Sequence, residues 1–429
     1  MNETELPAGW TVVPLADVAD FYAGSSLPQG EEWAAQEDGH LLLRVSDLNL
    51  PGNEKTILES QTWSPVAGAR SATCPPGAVV IPKRGGAIAT NKKRILTRSA
   101  ILDPNLMAVR PREGVLDLFY LYYWFLGMDL RKLASGSQVP QLNKKDLAPL
   151  IIPLPSFSEQ HQIVESLETY FSHLDAAVET ARRSRQRLEA LRKRVFLQLV
   201  PEVPPSEWRV VTVEEAGEVT LGRARHPDWH TGPEMHPYLR VANVFEDRID
   251  TSSVMEMDFS GIFDNYKLQP GDVLLNEGQS PHLVGRPAMY RGVPENVAFT
   301  NSLLRFRAYD GVLPEWALMV FRRHLHARRF MQEVRITTNI AHLSAKRLKI
   351  VEFPIPPVDV QKNLIARCDE LLSGVVAVDH EVSMSLKRSE ALRKALLRKA
   401  FTGQLLPRRA SEEPAALSIS TSIQQELPL

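Results

Sequence analysis

Residues 152–200 of this chain are written a second time further on. IPLPSFSEQHQIVESLE is answered by FPIPPVDVQKNLIARCDE, and LEALRKRVFLQLV by SEALRKALLRKAF. The offset is constant: Pro153 matches Pro354, Pro155 Pro356, Gln160 Gln361, Glu189 Glu390 and Leu191 Leu392, each pair 201 residues apart. A repeat this long requires two structurally equivalent halves.

Within the first copy, Ile163, Leu167, Tyr170, Leu174, Ala177, Ala181, Ser184, Leu188, Leu191 and Val195 alternate spacings of four and three, the signature of a heptad seam. Leu364, Cys368, Leu371, Val375, Val378, Val382, Ser385, Ser389, Leu392 and Leu396 repeat it. Each copy therefore predicts one long helix whose apolar stripe needs a partner, and Ser156 with Glu159 predicts a capping box at the start of the first. About 40 helical residues span ~60 Å, too long for one wall of a small domain, so the natural partner is the other copy. Residues 206–356 between them have a domain's length, and domain termini lie close together, which predicts an antiparallel pair.

Of 429 residues, 44% are hydrophobic, enough for two or three cores. The only cysteines are Cys74 and Cys368; with no signal peptide or membrane-length apolar run, the sequence predicts a soluble protein of the reducing cytoplasm, without membrane association. A net charge of -1 argues against a free-standing, non-specific nucleic-acid binder. Local charge differs. Residues 61–102 hold no Asp or Glu but contain Arg70, Lys83, Arg84, Lys92, Lys93, Arg94 and Arg98. Residues 322–349 set Arg322, Arg323, Arg328, Arg329, Arg335, Lys346, Arg347 and Lys349 against the single Glu333. Two basic regions at corresponding places predict a positive field in each half.

The blocks beside the long helices also correspond. Trp10 and Trp208 mark equivalent starts; LLRVSDLN (42–49) answers YLRVANVF (238–245), and PGAVVIPK (76–83) answers PGDVLLNE (270–277). These read as short apolar strands with Pro-Gly turns, and the segments between them diverge, as suits a shared scaffold for different ligands. Residues 116–133 and 314–331 predict apolar helices; the aromatic residues 119–125 are expected to build core rather than stack on bases. His324 and His326, two apart on a helix, do not make a metal pair. After these helices, GSQVPQLNKKDLAPL and TTNIAHLSAKRLKIV concentrate amides and basic groups, which can pair with base edges and phosphates.

Catalytic signatures are missing. There is no GxxxxGK[ST] loop, no Cys/His cluster with metal spacing and no [DNS]PP[YF] methyltransferase motif. Asp272 and Glu277 beside Lys267 echo a nuclease site, but Asp272 lies in a turn whose counterpart in the first block is Ala78, which favours a structural role.

The doubled proline-rich junctions, the heptad helices, the LRV and PG(A/D)V blocks and the closing LLRKAFTGQLLP resemble the DNA-specificity subunit of type I restriction-modification systems over residues 7 to 407. The second junction departs from the family's usual Glu-Gln pair in having Val360-Gln361. The resemblance implies an α+β chain with two mixed α/β target-recognition domains, separated by two long antiparallel helices that form a coiled coil, in a pseudo-twofold internal repeat. The boundaries expected are 1–155 for the first recognition domain, 156–200 for the central helix, 201–356 for the second domain, 357–407 for the C-terminal helix and 408–429 for a mobile tail.

It further implies a non-catalytic chain that reads a bipartite, asymmetric site in double-stranded DNA, with the helices setting the spacing of its halves. The partners implied are two methyltransferase subunits, which modify a flipped adenine on each strand, and motor-nuclease restriction subunits. S-adenosylmethionine, ATP and Mg would belong to those partners, and no cofactor or metal to this chain. Lys83, Arg84, Lys92, Lys93, Arg94, Gln138, Gln141, Asn143, Lys144 and Lys145 are expected to carry the first half-site. Asn276, Gln279, Arg286, Arg335, Asn339, His342, Lys346 and Arg347 are expected to carry the second. A free-standing DNA-binding regulator and a coiled-coil assembly scaffold are the competing readings.

Overall fold

A computed structural model describes residues 6–34, 38–135, 139–337 and 340–406. The expected tail lies outside the described residues. The chain forms two compact units, one of residues up to Glu179 together with those from Leu386, the other Thr180–Ser385. The helices Phe157–Leu199 and Val358–Phe401 thus each contribute to both units.

The first unit is layered because its central strand alternates. In Ala78–Pro82, Val79 and Ile81 face the apolar helix Leu118–Leu126 and the long helices, while Ala78 and Val80 pack on a second sheet. The central sheet runs Ala19–Ala23, Leu106–Pro111, Ala78–Pro82, Arg94–Leu96, Thr56–Ile57; the second is centred on His40–Leu43. The second unit repeats the plan. Val273 and Leu275 face the helix Pro314–His326 and the long helices, and Leu274 faces the sheet centred on Met235–Leu239.

In both units the LRV stretch leaves its strand at the arginine and turns into a 3-10 helix, Val45–Asn49 and Val241–Asn243, where continuous strands were expected. The reason is local: Asp47 and Asn243 reach back to accept the amides of Arg44 and Arg240 at 2.7 and 3.1 Å, closing the turn. Of the aromatic run, Tyr120, Tyr122, Tyr123, Trp124 and Phe125 are buried, as core packing requires. The Tyr120 hydroxyl donates to Pro153 O at 2.9 Å, and the Trp316 indole donates to Pro354 O at the same distance, fastening each apolar helix to its junction.

The long helices pair antiparallel within each unit. In the first, Ile163, Leu167 and Phe171 share a core with Leu396, Leu397 and Ala400; in the second, Val195, Phe196 and Val200 share one with Cys368. The seam differs from the heptad expectation at several steps. Tyr170 and Leu191 are exposed by 48% and 47%, and Phe171 is buried instead. Val378 and Leu392 are likewise 49% exposed, the seam passing through Asp379 and Arg393. An α-helix drifts off a 3.5-residue repeat by its own 3.6-residue period, and large flanking side chains such as Phe171 take over where the strict heptad turns outward. The capping box is half formed. Ser156 Oγ accepts from the Glu159 amide at 3.3 Å, but the Glu159 carboxylate accepts from the Trp10 indole at 3.0 Å.

Candidate functional site

Each unit brings three segments together at the C-terminal end of its central strand, and backbone hydrogen bonds make them equivalent. The Lys83 amide donates to Asn105 O at 2.8 Å and Lys83 O accepts from Leu142 N at 2.8 Å. The Glu277 amide donates to Ser302 O at 3.0 Å and Glu277 O accepts from Leu343 N at 2.8 Å. Alongside, Gln141 bridges Arg84 and Ser135, while His342 bridges Gly278 and Arg335. A row of three aligned residues therefore reads Arg84, Gln141, Ser135 in one half and Gly278, His342, Arg335 in the other.

The neighbouring turns match as well. The Gly24 amide donates to Leu106 O and the Gly222 amide to Leu303 O. A Cβ on Gly24 would lie 1.7 Å from Asp103 O, and one on Gly222 2.3 Å from Thr300 O, so only glycine permits either approach. The next residue is Ser25 in one half and Arg223 in the other; the Arg223 guanidinium lies 4.0 Å from the Trp229 ring centroid and donates to Asp258 O.

Not every expected contact residue reaches the surface. Arg84, Lys144 and Lys145 are exposed, while Lys83 and Lys92 are half-buried, with their amines pushed down by burial and by Arg84 and Arg94 respectively. Lys93 is 2% exposed; its Nζ donates to Met128 O at 2.7 Å and Asn91 Oδ1 at 2.8 Å, and burial lowers its pKa to about 8. It ties a loop together and cannot meet a duplex. Arg94 is turned inward too, donating to Lys93 O and Leu48 O at 2.9 and 3.3 Å. Asn143 caps the short helix Lys144–Leu147 and accepts from Gln141 Nε2 at 3.0 Å, which orients the Gln141 amide. Gln138 lies outside the described residues.

In the second unit, Asn276 is fully buried on the face it shares with Leu274, so it does not contact ligand either. Arg286 donates to Val244 O at 2.6 Å. Gln279 is half-buried and accepts from the Ser280 amide at 3.1 Å, and Arg347 donates to Glu333 O at 2.5 Å. Lys346 is exposed. Asn339 and the Arg335 side chain lie outside the description. The positive field expected from residues 322–349 is partly neutralised within the fold, at Arg322 and Arg329. Arg322 Nε donates to Glu246 at 2.9 Å, His326 meets the same carboxylate at 2.9 Å, and Arg329 is held by Glu333 and Glu352 at 2.8 Å. Burial pushes Glu246 up, but His326 and Arg322 outweigh it and hold the carboxyl at about 2.

His324 is buried against Glu352 O at 2.9 Å, on a different partner from His326. Asp272 accepts two hydrogen bonds from Arg307, both 2.7 Å, and closes its turn by accepting from the Gln269 amide. In the first unit Arg110 instead donates to Pro76 O at 3.2 Å in the equivalent turn. Asp272 is thus structural. Glu277 differs in staying partly open: its carboxylate stands 3.3 Å from His342 Nδ1 and its side chain is 23% exposed. Sequence reasoning weighed it only with Asp272 and Lys267 as an echo of a nuclease site and did not count it among the DNA contacts; its alignment with Lys83 was the available signal.

Residues 7–184 match the family described as the type I restriction modification DNA specificity domain. The chain is similar to the specificity subunit of the type I restriction enzyme EcoKI of Escherichia coli K12, 22% identical, covering 97% of this chain and 94% of that one. It is also 20% identical to the MjaVIII specificity subunit of Methanocaldococcus jannaschii, over 70% of this chain and 72% of the relative. Among solved structures, a chain of a type I R-M system studied for complex assembly and conformational transition aligns with TM-score 0.71 at 18% identity, over 94% of this chain and all of that one. The HsdS subunit of Thermoanaerobacter tengcongensis aligns with TM-score 0.56 at 19% identity, over 94% and 99%. These likenesses establish the shared fold.

Proposed function

We propose that the chain belongs to the family of type I restriction-modification DNA-specificity subunits, reads a split, asymmetric DNA site and directs partner subunits to it. The chain is a recognition subunit without catalysis of its own. The observation that carries this reading is the duplicated strand end at Lys83 and Glu277, where one backbone plan displays different chemistry in each half. Equivalent scaffolds suit the two halves of one site; unlike side chains make those halves unlike in sequence.

The partners are two adenine-methyltransferase subunits, one for each half, and motor-nuclease restriction subunits. S-adenosylmethionine belongs to the former, ATP and Mg to the latter. No helix among the described residues is long and apolar enough to cross a membrane, and the cytoplasm, where DNA is reached, is the setting that fits. The test is to co-express the chain with its methyltransferase subunit and map modified adenines in host DNA, with a control lacking the chain. Methylation at one split, asymmetric motif that vanishes in the control is the expected result. A motif that persists without the chain assigns recognition elsewhere.

A further inference from the structure

We propose that Lys83 and Glu277 occupy the same base-contacting position in the two halves and use it in opposite hydrogen-bonding senses. Lys83 donates to an acceptor-bearing edge, whereas Glu277 accepts from the exocyclic amine of cytosine or adenine. The proposal rests on the DNA-recognition reading above and locates its specificity.

The equivalence comes from backbone geometry rather than from alignment. Both residues follow the central strand, both donate an amide to the turn just before the neighbouring strand, and both accept from the leucine that follows the bridging residue Gln141 or His342. Around that shared position the side chains exchange roles. Where the first half sets Arg84 beside Lys83, the second has Gly278, whose missing Cβ makes room for His342: a Cβ there would lie 3.1 Å from the imidazole. The ring comes to 3.3 Å from the Glu277 carboxylate, and the pair remains partly open, at 23% and 43% side-chain exposure.

A carboxylate facing a duplex is repelled by phosphates, so it gains nothing as an anchor. It is useful where a base presents only a donor. An ionised carboxylate offers acceptors alone, which matches the amino group of cytosine in the major groove and rejects the carbonyl edge of guanine or thymine. Lys83 has the reverse capacity, donors alone. His342, beside Glu277, meets one carboxylate oxygen. Gln141, at the matching place, is held by Asn143. Each reading group thus stands beside a second polar side chain on the bridging segment.

The experiment uses the full chain in complex with its methyltransferase subunits, with adenine methylation mapped at sequence resolution. Glu277→Gln keeps the size of the side chain and adds a donor; Glu277→Ala removes the group. Both are expected to relax selectivity by roughly 10- to 100-fold at one position of the second half-site, leaving the first unchanged. Lys83→Ala is expected to relax one position of the first half-site only. The base lost from the motif in the Glu277 variants distinguishes cytosine from adenine. An unchanged motif in both Glu277 variants, or an equal loss on every sequence, overturns the proposal. A wild-type complex that methylates no split motif sinks instead the recognition reading on which it rests. Should Glu277→Ala fail to assemble, Glu277→Gln carries the test alone.

Discussion

Gln160 and Gln361, 201 residues apart, make the same three hydrogen bonds in the two halves of the chain. Gln160 Nε2 donates to Val115 O and Pro155 O at 3.0 and 3.1 Å, and its Oε1 accepts from the Asp117 amide at 2.8 Å. Gln361 Nε2 donates to Gly311 O and Pro356 O at 2.8 and 2.9 Å, and its Oε1 accepts from the Leu313 amide at 2.9 Å. Both side chains are fully buried. Each long helix is thereby fastened, one turn from its start, to the loop that launches the apolar helix of its unit.

Gln160→Ala or Gln361→Ala leaves buried backbone groups without partners. Each is expected to destabilise its own unit by ~2–4 kcal/mol. Chemical denaturation followed by hydrogen exchange locates the loss: residues 112–118 in the first variant, 310–314 in the second. Glutamate at either site is expected to be worse, since it removes both donors and buries a charge.

Gly24→Ala and Gly222→Ala drive a Cβ into the carbonyls of Asp103 and Thr300, which belong to backbone and cannot swing aside. Both variants are expected to lose the soluble fold of the affected unit, measured by yield and thermal melt. Ser25→Ala, one residue away, is the matched control and should melt as the parent does.

Lys93 is held protonated in a site that disfavours its charge, with its pKa lowered to about 8 by burial. The unfolded lysine, titrating near ~10.4, binds more protons than the folded one between about pH 8 and 10. Stability of the first unit therefore rises with pH across that window. Lys93→Met is expected to abolish the rise and leave the methylation motif intact; a changed motif would return Lys93 to the DNA surface.

Glu246 also has a depressed pKa, so stability again rises with pH, but at the acid end and because its partners favour the charged form. Its folded pKa of about 2 lies below the ordinary ~4.3 of glutamate, so its stabilisation is complete above that value and fades as pH falls toward 2. Glu246→Gln leaves Arg322 buried beside only Asp247, 3.5 Å away, and is expected to cost ~1–3 kcal/mol at neutral pH. An acid-unfolding midpoint unmoved by the substitution would show that the cluster contributes nothing.

Removing seven residues from each long helix at matched positions is expected to change the number of base pairs between the two half-sites while keeping both half-sites readable. Methylation mapping of the shortened complex decides it. An unchanged spacer means that the helices do not set the distance.

The duplication, the long helices and the core role of the aromatic run were legible because they are written in periodicity and repeat, which depend on many residues at once. The site was legible only in outline. Lys83, Arg84, Gln141 and His342 do gather at equivalent strand ends, yet Lys93, Arg94 and Asn276 turn inward. Charge in a sequence does not say which face of a strand it occupies or whether a carbonyl has claimed it. The same blindness inflated the basic stretch 322–349, in which Arg322 and Arg329 meet Glu246, Glu333 and Glu352, in part far away in sequence. The heptad rule misassigned Tyr170 and Leu191 because a strict period leaves no room for the helix's own pitch.

Arg94 and Arg286 carry one last implication. Arg94 donates to Leu48 O and Arg286 to Val244 O, carbonyls at matching places just after the LRV arginine, although in strand register Arg94 stands opposite Val80 while Arg286 lies just before the paired segment Pro287–Met289. The two copies have kept a bond and let its owner slide along the strand. Grafting the loop of one half onto the other by matching letters would therefore supply both arginines or neither; a chimaera must be cut by which carbonyl is answered, and descent in such chains is better traced through satisfied backbone groups than through identities.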